Sequence, residues 1–401
     1  MSDAVLERAV TGRELGAWDC GRAGPTLLLL GGMHGNEPAG VVAAQNLLAR
    51  LAADGVQIAG RVVALAGNVA ALARNCRYVD RDLNRGWSAA AIALLRERAT
   101  RGGELDLLVE DREQLELLRR FEQLLATRNG PLVVLDLHTS SADGAPFLCL
   151  ADTIDNRRLG LATGVPLILG IEETIDGASL EWFADRGLMG LAIEGGQHDD
   201  PASPQKHEGA IWRAMDHLDM LAPARAADPG FDISDRTAVL DGAVGNTPPI
   251  VEIVERRAIS PADDFRMEPG FVNFQTVRRG DLLAHDRDGE IRAPRDALVL
   301  LPLYQALGED GFFLGRTVRT FWLHLATMVR ALRLDALVRF LPGVRCTPAE
   351  ANTICVDPKV ARWFVTEIFH LLGFRKRRMR GGLLTFTRRL SLPENARRRR
   401  S

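Results

Sequence analysis

From Thr26 to about Leu221 the chain alternates short apolar runs with longer stretches whose apolar residues recur every three or four positions. This is the pattern of strands and crossover helices in an α/β domain. Strands are predicted at Thr26 to Leu30, Arg61 to Ala66, Leu132 to Leu137, Phe147 to Leu150, Pro166 to Leu169 and Leu188 to Ile193. Glu104 to Ala126 sets Leu105, Leu108, Leu115, Leu118, Phe121 and Leu125 among charges at helical spacing, so this helix should cover the sheet. Between Ala222 and Asp235 the periodicity lapses into Pro223, Pro229, Gly230 and several aspartates, which marks a boundary. Beyond it, Val251 to Val254, Phe271 to Val277, Asp281 to Ala284 and Ala297 to Leu301 are short β-like runs, punctuated by Gly280, Asp288-Gly289 and Pro294. Two apolar helical candidates follow, Phe321 to Phe340 and Val360 to Leu372. The expected organisation is an α/β domain over residues 1–225, a smaller β domain over 236–310 and a basic, partly helical extension over 311–401.

Charge sharpens the last boundary. Residues 1–310 hold 31 basic and 47 acidic residues, whereas residues 311–401 hold 19 and 5. Arg375, Arg377, Arg378, Arg380 and the final Arg397 to Arg400 make the extension a separate electrostatic object. A solvated or oligomer-supporting appendage is the first expectation for it, an acidic partner surface including a membrane the second, and nucleic acid the last. Aromatic residues are not interleaved through the arginines as base-stacking platforms would be. The five cysteines are odd in number and widely spread, Asp3 and Glu7 argue against a secretory leader, and the apolar runs fall far below the ~18 residues of a membrane span. A reducing cytoplasm is the predicted location.

Candidate chemistry gathers where strands end. The run Thr26 to Leu30 leads into Gly31-Gly32-Met33-His34-Gly35-Asn36-Glu37-Pro38, with Pro38 suited to open a helix. Leu132 to Leu137 delivers His138, and Leu191-Ala192-Ile193 delivers Glu194 beside Gly195 and Gly196. In parallel sheets, sites form at the carboxyl edge of the strands. Two histidines and a glutamate leave an open fourth zinc position, and a further carboxylate can take a proton from water there. For any one of these residues alone, a capping or hydrogen-bonded group at a strand end is the favoured reading. The stretch Asn75 to Arg85 adds two carboxylates, an asparagine and three arginines within nine residues, Arg77 to Arg85, whose forks suit carboxylates and developing oxyanions.

Four motifs together resemble the succinylglutamate desuccinylase and aspartoacylase family, relatives of the zinc carboxypeptidases. They are Gly-Met-His-Gly-Asn-Glu at 32 to 37, Arg-Tyr-x-Asp-x-Asp-Leu-Asn-Arg at 77 to 85, Asp-Leu-His at 136 to 138 and Ile-Glu-Gly-Gly at 193 to 196. The resemblance spans roughly residues 20 to 310 and implies a three-layer α/β/α catalytic domain. It implies one zinc per chain on His34, Glu37 and His138, with Glu194 as general base and acid and Arg77 stabilising the oxyanion. Asn84 and Arg85 would grip a substrate carboxylate, Asp82 would orient its neighbours, and Tyr304 and Arg186 are further substrate-binding candidates. The implied reaction is hydrolysis of the amide of an N-acyl amino acid or a similar small carboxylate-bearing amide. A peptide-cleaving metallocarboxypeptidase, or a non-enzymatic scaffold binding a partner through its basic end, are the alternatives. His198, His207 and His217 match no familiar metal spacing and are expected at the surface, and Cys346 and Cys355 lack the pairing of a structural zinc site. Serine-hydrolase and phosphate-loop motifs are absent from the sequence.

Overall fold

In the computed structural model, Leu27 and Leu29 face one side of a sheet and Leu28 and Leu30 the other, and all four are fully buried. A strand with a period of two can do this only when layers cover both faces, as in parallel sheets. The structure describes residues 12–102, 107–171, 175–305, 308–318, 321 and 328, together with four strands within 344–388.

The strands are β1 (Glu14–Asp19), β2 (Thr26–Gly31), β3 (Arg61–Ala66), β4 (Leu132–Ser140), β5 (Phe147–Leu150), β6 (Leu167–Leu169), β7 (Met189–Gln197) and β8 (Ile250–Ala258). They are followed by β9 (Arg266–Met267), β10 (Gln275–Val277), β11 (Leu282–Asp286), β12 (Gly289–Arg292), β13 (Ala297–Leu300) and β14 (Asp310–Thr317). One sheet runs in the order β1-β3-β2-β4-β7-β5-β6-β8-β14-β13-β10, and β12-β11-β9 form a smaller one. The centre of the large sheet, β3-β2-β4-β7, is parallel, whereas β5 lies antiparallel to β7. The sheet therefore continues without a break from the α/β part into the β-rich part.

All six strands expected before residue 200 form: three run on past their expected carboxyl ends, to Gly31, Ser140 and Gln197, two keep the expected bounds, and the strand expected from Pro166 begins at Leu167. β1 carries no strand signal in the sequence, since its mostly exposed edge position and the irregular pairing between Glu14 and Gly16 leave no apolar alternation to read. The short helix Ala222–Ala227 and the start of Ser234–Val244 occupy the stretch where periodicity lapsed.

One helical layer sets Ala39–Ala53 and Ser203–His217 on the Leu27 and Leu29 face. The other sets Val109–Thr127 and Ser179–Asp185 on the Leu28 and Leu30 face. Its centre is Phe121, fully buried, with ring centroids 5.5 Å from Trp87, 5.6 Å from Trp182 and 4.8 Å from Phe183.

The helical candidates Phe321 to Phe340 and Val360 to Leu372 lie outside the described residues, apart from 321 and 328, and Arg397 to Arg400 lie outside them entirely. What is described of the extension is β: Val344–Cys346, Thr353–Val356, Phe374–Arg380 and Leu383–Arg388 form an antiparallel four-stranded sheet. Arg375 to Arg380 thus sit on a strand, with Arg380 opposite Leu383. The intervening Gly381-Gly382 is a two-residue hairpin signal that the surrounding arginines obscured. Among the described residues no helix is long and apolar enough to cross a membrane.

Phe121→Ala should cost about 3–5 kcal/mol, because the three neighbouring rings cannot all collapse into the space it leaves. Denaturant unfolding checks this, and a loss under about 1 kcal/mol would mean that the cluster is not the keystone of that layer.

Candidate active site

β2, β4 and β7 end side by side, and the residues beyond or at those ends converge. His34 follows β2, His138 lies on β4, and Glu194 of β7 stands directly opposite His138 in the parallel ladder. Close approach fixes the first loop: a Cβ on Gly35 would come within 2.2 Å of the Ala71 carbonyl, so only glycine lets the loop pass the helix Val69–Ala73.

Glu37, two per cent exposed, lies between the two imidazoles. Its Oε1 is 2.8 Å from His34 Nδ1, its Oε2 is 3.0 Å from His138 Nδ1, and Oε2 also accepts from the Thr139 amide at 3.2 Å. His34, Glu37 and His138 each offer one donor atom, and these atoms all lie within 4.8 Å of one another, so the three side chains could hold a metal ion. Each imidazole turns its far nitrogen to another carboxylate, His34 Nε2 to Asp82 at 3.3 Å and His138 Nε2 to Asp136 at 3.1 Å. Asp136 in turn accepts from the Ser179 hydroxyl at 2.6 Å. Carboxylate-backed imidazoles are characteristic of metal ligands, since the backing carboxylate sets ring orientation and raises basicity.

Electrostatics agrees with that donor set. Burial pushes the His138 imidazole down, but Asp136 and Glu37 outweigh it and hold it well above the usual histidine range. Burial likewise opposes, and Glu37 and Asp82 reverse, the shift at His34. Positive charge is what this pocket of carboxylates demands, and a divalent cation with nitrogen and oxygen ligands meets the demand.

Glu194 has a buried Oε2 with no hydrogen-bond partner among the described residues. Burial raises its carboxyl, His138 pulls it back, and the balance leaves it at about 7. Arg77 reaches Asp82 at 3.0 Å and Glu37 at 3.6 Å, so Asp82 ties Arg77 to His34 as well as accepting from the Asn84 amide at 2.8 Å. Asn84 lines the cavity, but its side-chain oxygen is committed to the Ser179 amide at 2.6 Å. Arg85 lines the same cavity of about 210 Å³, facing Glu309 at 3.7 Å and Asp310 at 4.0 Å.

Two candidates are not brought to the cavity. Arg186 stacks on Trp182 at 3.7 Å and donates to that residue's carbonyl, which holds it among the helices outside the cavity. Tyr304 bonds through its hydroxyl to the Glu268 carbonyl at 2.9 Å and the Phe271 amide at 2.8 Å, away from the cavity lining. Its neighbours Leu303 and Gln305 line the cavity instead. Leu301, held at φ 49° and donating its amide to Asn273, begins the segment whose Leu303 and Gln305 line the cavity.

The histidines also depart from expectation. His217 is exposed, but His207 is fully buried behind Gly195, where a Cβ would meet its ring at 2.5 Å. His198 lines the cavity, with Nδ1 2.8 Å from the Thr139 hydroxyl. Nothing in the spacing from Glu194 distinguishes it from a surface residue.

Glu110 likewise carries no signal of its role in the sequence. This fully buried carboxylate accepts from the amides of Val79 at 2.6 Å, Asp80 at 2.9 Å and Arg81 at 3.2 Å, and from Asn68 at 3.0 Å. It pins the loop that carries Arg77, Asp82 and Arg85. Arg81 belongs to the same anchor, donating to Asp111 and Gln114 rather than facing the cavity.

Residues 23–179 match the family model described as the succinylglutamate desuccinylase/aspartoacylase catalytic domain. This is the family that the motifs resemble. It is a family of acyl-amino-acid hydrolases. Among solved structures, the succinylglutamate desuccinylase/aspartoacylase of Rhodobacter sphaeroides is 19% identical with a TM-score of 0.52, covering 74% of this chain and 87% of its own. The product-bound ectoine utilization protein of Ruegeria pomeroyi is 21% identical with a TM-score of 0.51, covering 74% and 85%. A succinylglutamate desuccinylase from Silicibacter sp. is 20% identical with a TM-score of 0.50, covering 74% and 86%. At these identities the likeness is one of fold. No curated protein matches the chain.

Burial alone would push the Glu110 carboxyl up, yet its amide donors hold it below the usual carboxylate range. A depressed carboxylate contributes stability above its unfolded pKa and loses it as pH falls. Glu110→Ala should therefore destabilise the protein by on the order of 3 kcal/mol at neutral pH and by less in acid. Equal losses at neutral and at acidic pH in denaturant titrations would show that the anchor is not the ionised group.

Proposed function

We propose that the protein hydrolyses the amide bond of an N-acyl amino acid, or of a similar small carboxylate-bearing amide, with zinc held by His34, Glu37 and His138. The observation that carries this reading is the buried convergence of two carboxylate-backed imidazole Nδ1 atoms on Glu37, with Glu194, whose buried Oε2 has no hydrogen-bond partner among the described residues, opposite His138. Zinc, when bound, supplies Lewis acidity toward water and carbonyl oxygen.

The chain's own residues supply the rest. Glu194 takes a proton from the attacking water and returns it to the leaving nitrogen, a task suited to a carboxyl poised near 7. The Arg77 guanidinium, held by Asp82, stabilises the negative charge that develops on the scissile carbonyl oxygen. Arg85 binds the substrate carboxylate through a charge-assisted pair, while Asn84, its oxygen committed to Ser179, keeps the loop in place. The segment Leu301 to Gln305 closes over the edge, and the resulting cavity of about 210 Å³ favours a small amide over a peptide.

The purified protein should carry about one zinc per chain, and His138→Ala should lose it, as read by elemental analysis. Glu194→Gln should keep the metal while turnover of N-acetyl amino acids falls by roughly 100-fold or more. Metal loss in that second variant would make Glu194 a ligand and sink the assignment. Since only the ionised form accepts a proton, kcat/KM should fall as pH drops through the Glu194 pKa, at about 7 or below once a bound cation lowers it.

Arg85→Ala should weaken acids by at least roughly tenfold more than the corresponding amides or esters. Equal losses for charged and neutral substrates, measured as kcat/KM, would take the substrate carboxylate away from Arg85.

A further inference from the structure

The sheet continues past the catalytic edge, and the face it presents there is apolar. Ala192 shares the face of Glu194, since residues two apart on a strand point the same way. Cys149 of β5 stands opposite Ala192, Ile168 of β6 opposite Cys149, and Val251 of β8 opposite Ile168. With Phe313 these residues belong to one apolar cluster. Cys149, Ala192 and Phe313 reach the cavity, and Ile171, Ile175 and Leu301, packed against the same cluster, complete that wall.

Charge is distributed in the opposite sense. Among the described residues that line the cavity, the arginines are Arg77 and Arg85, and no lysine joins them. Arg77 already faces Glu37 and Asp82, and Arg85 faces Glu309 and Asp310. Asp310 is also paired with Arg256, but Glu309 is 70% exposed and can be displaced from Arg85 at little cost. One substrate carboxylate therefore has a place. A second finds no further arginine or lysine among the described residues: it would meet the acids Glu181, Glu194 and Asp310, the hydroxyls and amide of Ser140, Ser141 and Gln305, which carry no charge to offset its own, or an apolar wall that cannot replace its hydration.

We propose, resting on the amide-hydrolase reading, that the substrate bears a single carboxylate and that its remaining group is aliphatic or aromatic, lying on the wall of Cys149, Ala192 and Phe313. N-acyl aspartates, N-acyl glutamates and N-succinyl amino acids are then poor substrates.

The test uses the zinc-loaded full chain with N-acetyl-leucine, N-acetyl-phenylalanine, N-acetyl-aspartate, N-acetyl-glutamate and N-succinyl-glutamate. Turnover is measured on the parent protein, and binding of the same compounds to Glu194→Gln is measured by calorimetry. The expected result is a kcat/KM and an affinity at least ~10-fold higher for the leucine and phenylalanine compounds. The variant Ile175→Arg, on a half-buried loop position, should narrow that ratio by ~10-fold by giving a second carboxylate a partner. Dicarboxylates cleaved as well as or better than the apolar acids would overturn the proposal and leave the hydrolase reading intact. Absence of turnover with a retained calorimetric preference for the apolar acids would instead support the proposal and sink the hydrolase reading. Calorimetry without that preference overturns the proposal whatever the turnover.

Discussion

A carboxylate buried between two imidazoles governs this molecule. Taking Glu37 out of water would cost several kcal/mol if it were left alone, and the structure compensates with His34, His138, the Thr139 amide and Arg77. Each imidazole is itself backed by an acid, Asp82 or Asp136. That arrangement raises the local demand for positive charge instead of ending it. Protonated imidazoles can meet the demand, and so can one cation shared by the three side chains. The second solution also frees both Nδ1 lone pairs to act as ligands, which is why the donor set and the electrostatics point the same way.

Such a cluster needs a rigid frame, and the parallel ladder provides it. His138 and Glu194 are placed by strand register, so their separation is set by backbone hydrogen bonds and not by loop conformation. Arg77, Asp82 and Arg85 have no strand to hold them. Glu110 stands in for one, offering a carboxylate to three successive amides of their loop. The frame and the anchor thus both come from the sheet and its covering helix, and the site is only as ordered as that packing.

This division governs what could be read from the sequence. His34, Glu37, His138 and Glu194 were legible because a polar residue at the end of a buried apolar run breaks a pattern that burial otherwise enforces. Asp136 sits in its motif with no evident task, since its partners are His138 and Ser179, the latter 43 positions away. Glu110 is hidden among the many acids of an amphipathic helix, and only the loop folding back onto it reveals its purpose. Tyr304 lies in a segment where, after the left-handed turn at Leu301, Leu303 and Gln305 line the cavity, an alternation that the sequence does not show. Arg186 fits a substrate site by charge, yet the Trp182 ring claims it. The sheet in the extension escaped notice because arginines at most positions of Phe374–Arg380 read as a charge run, and strand pairing is not written in charge.

The arrangement around Arg85 shows how selectivity can follow from counter-ions. An arginine left unpaired at a cavity wall would be hydrated and mobile, and ordering it would consume binding energy. The Asn84 carbonyl accepts from the guanidinium at 3.0 Å, Asp310, itself fastened to Arg256, lies 4.0 Å from it, and the exposed Glu309 is its other acidic neighbour. Exposed pairs of this kind are worth about 0–1 kcal/mol, so a substrate carboxylate that replaces Glu309 forfeits little. The same economy works against a second carboxylate: Arg77 is committed to Glu37 and Asp82, and removing it from them would strip charge compensation from the buried cluster on which the fold of the site rests. The interaction that stabilises the site thereby also limits how many acids the site will accept.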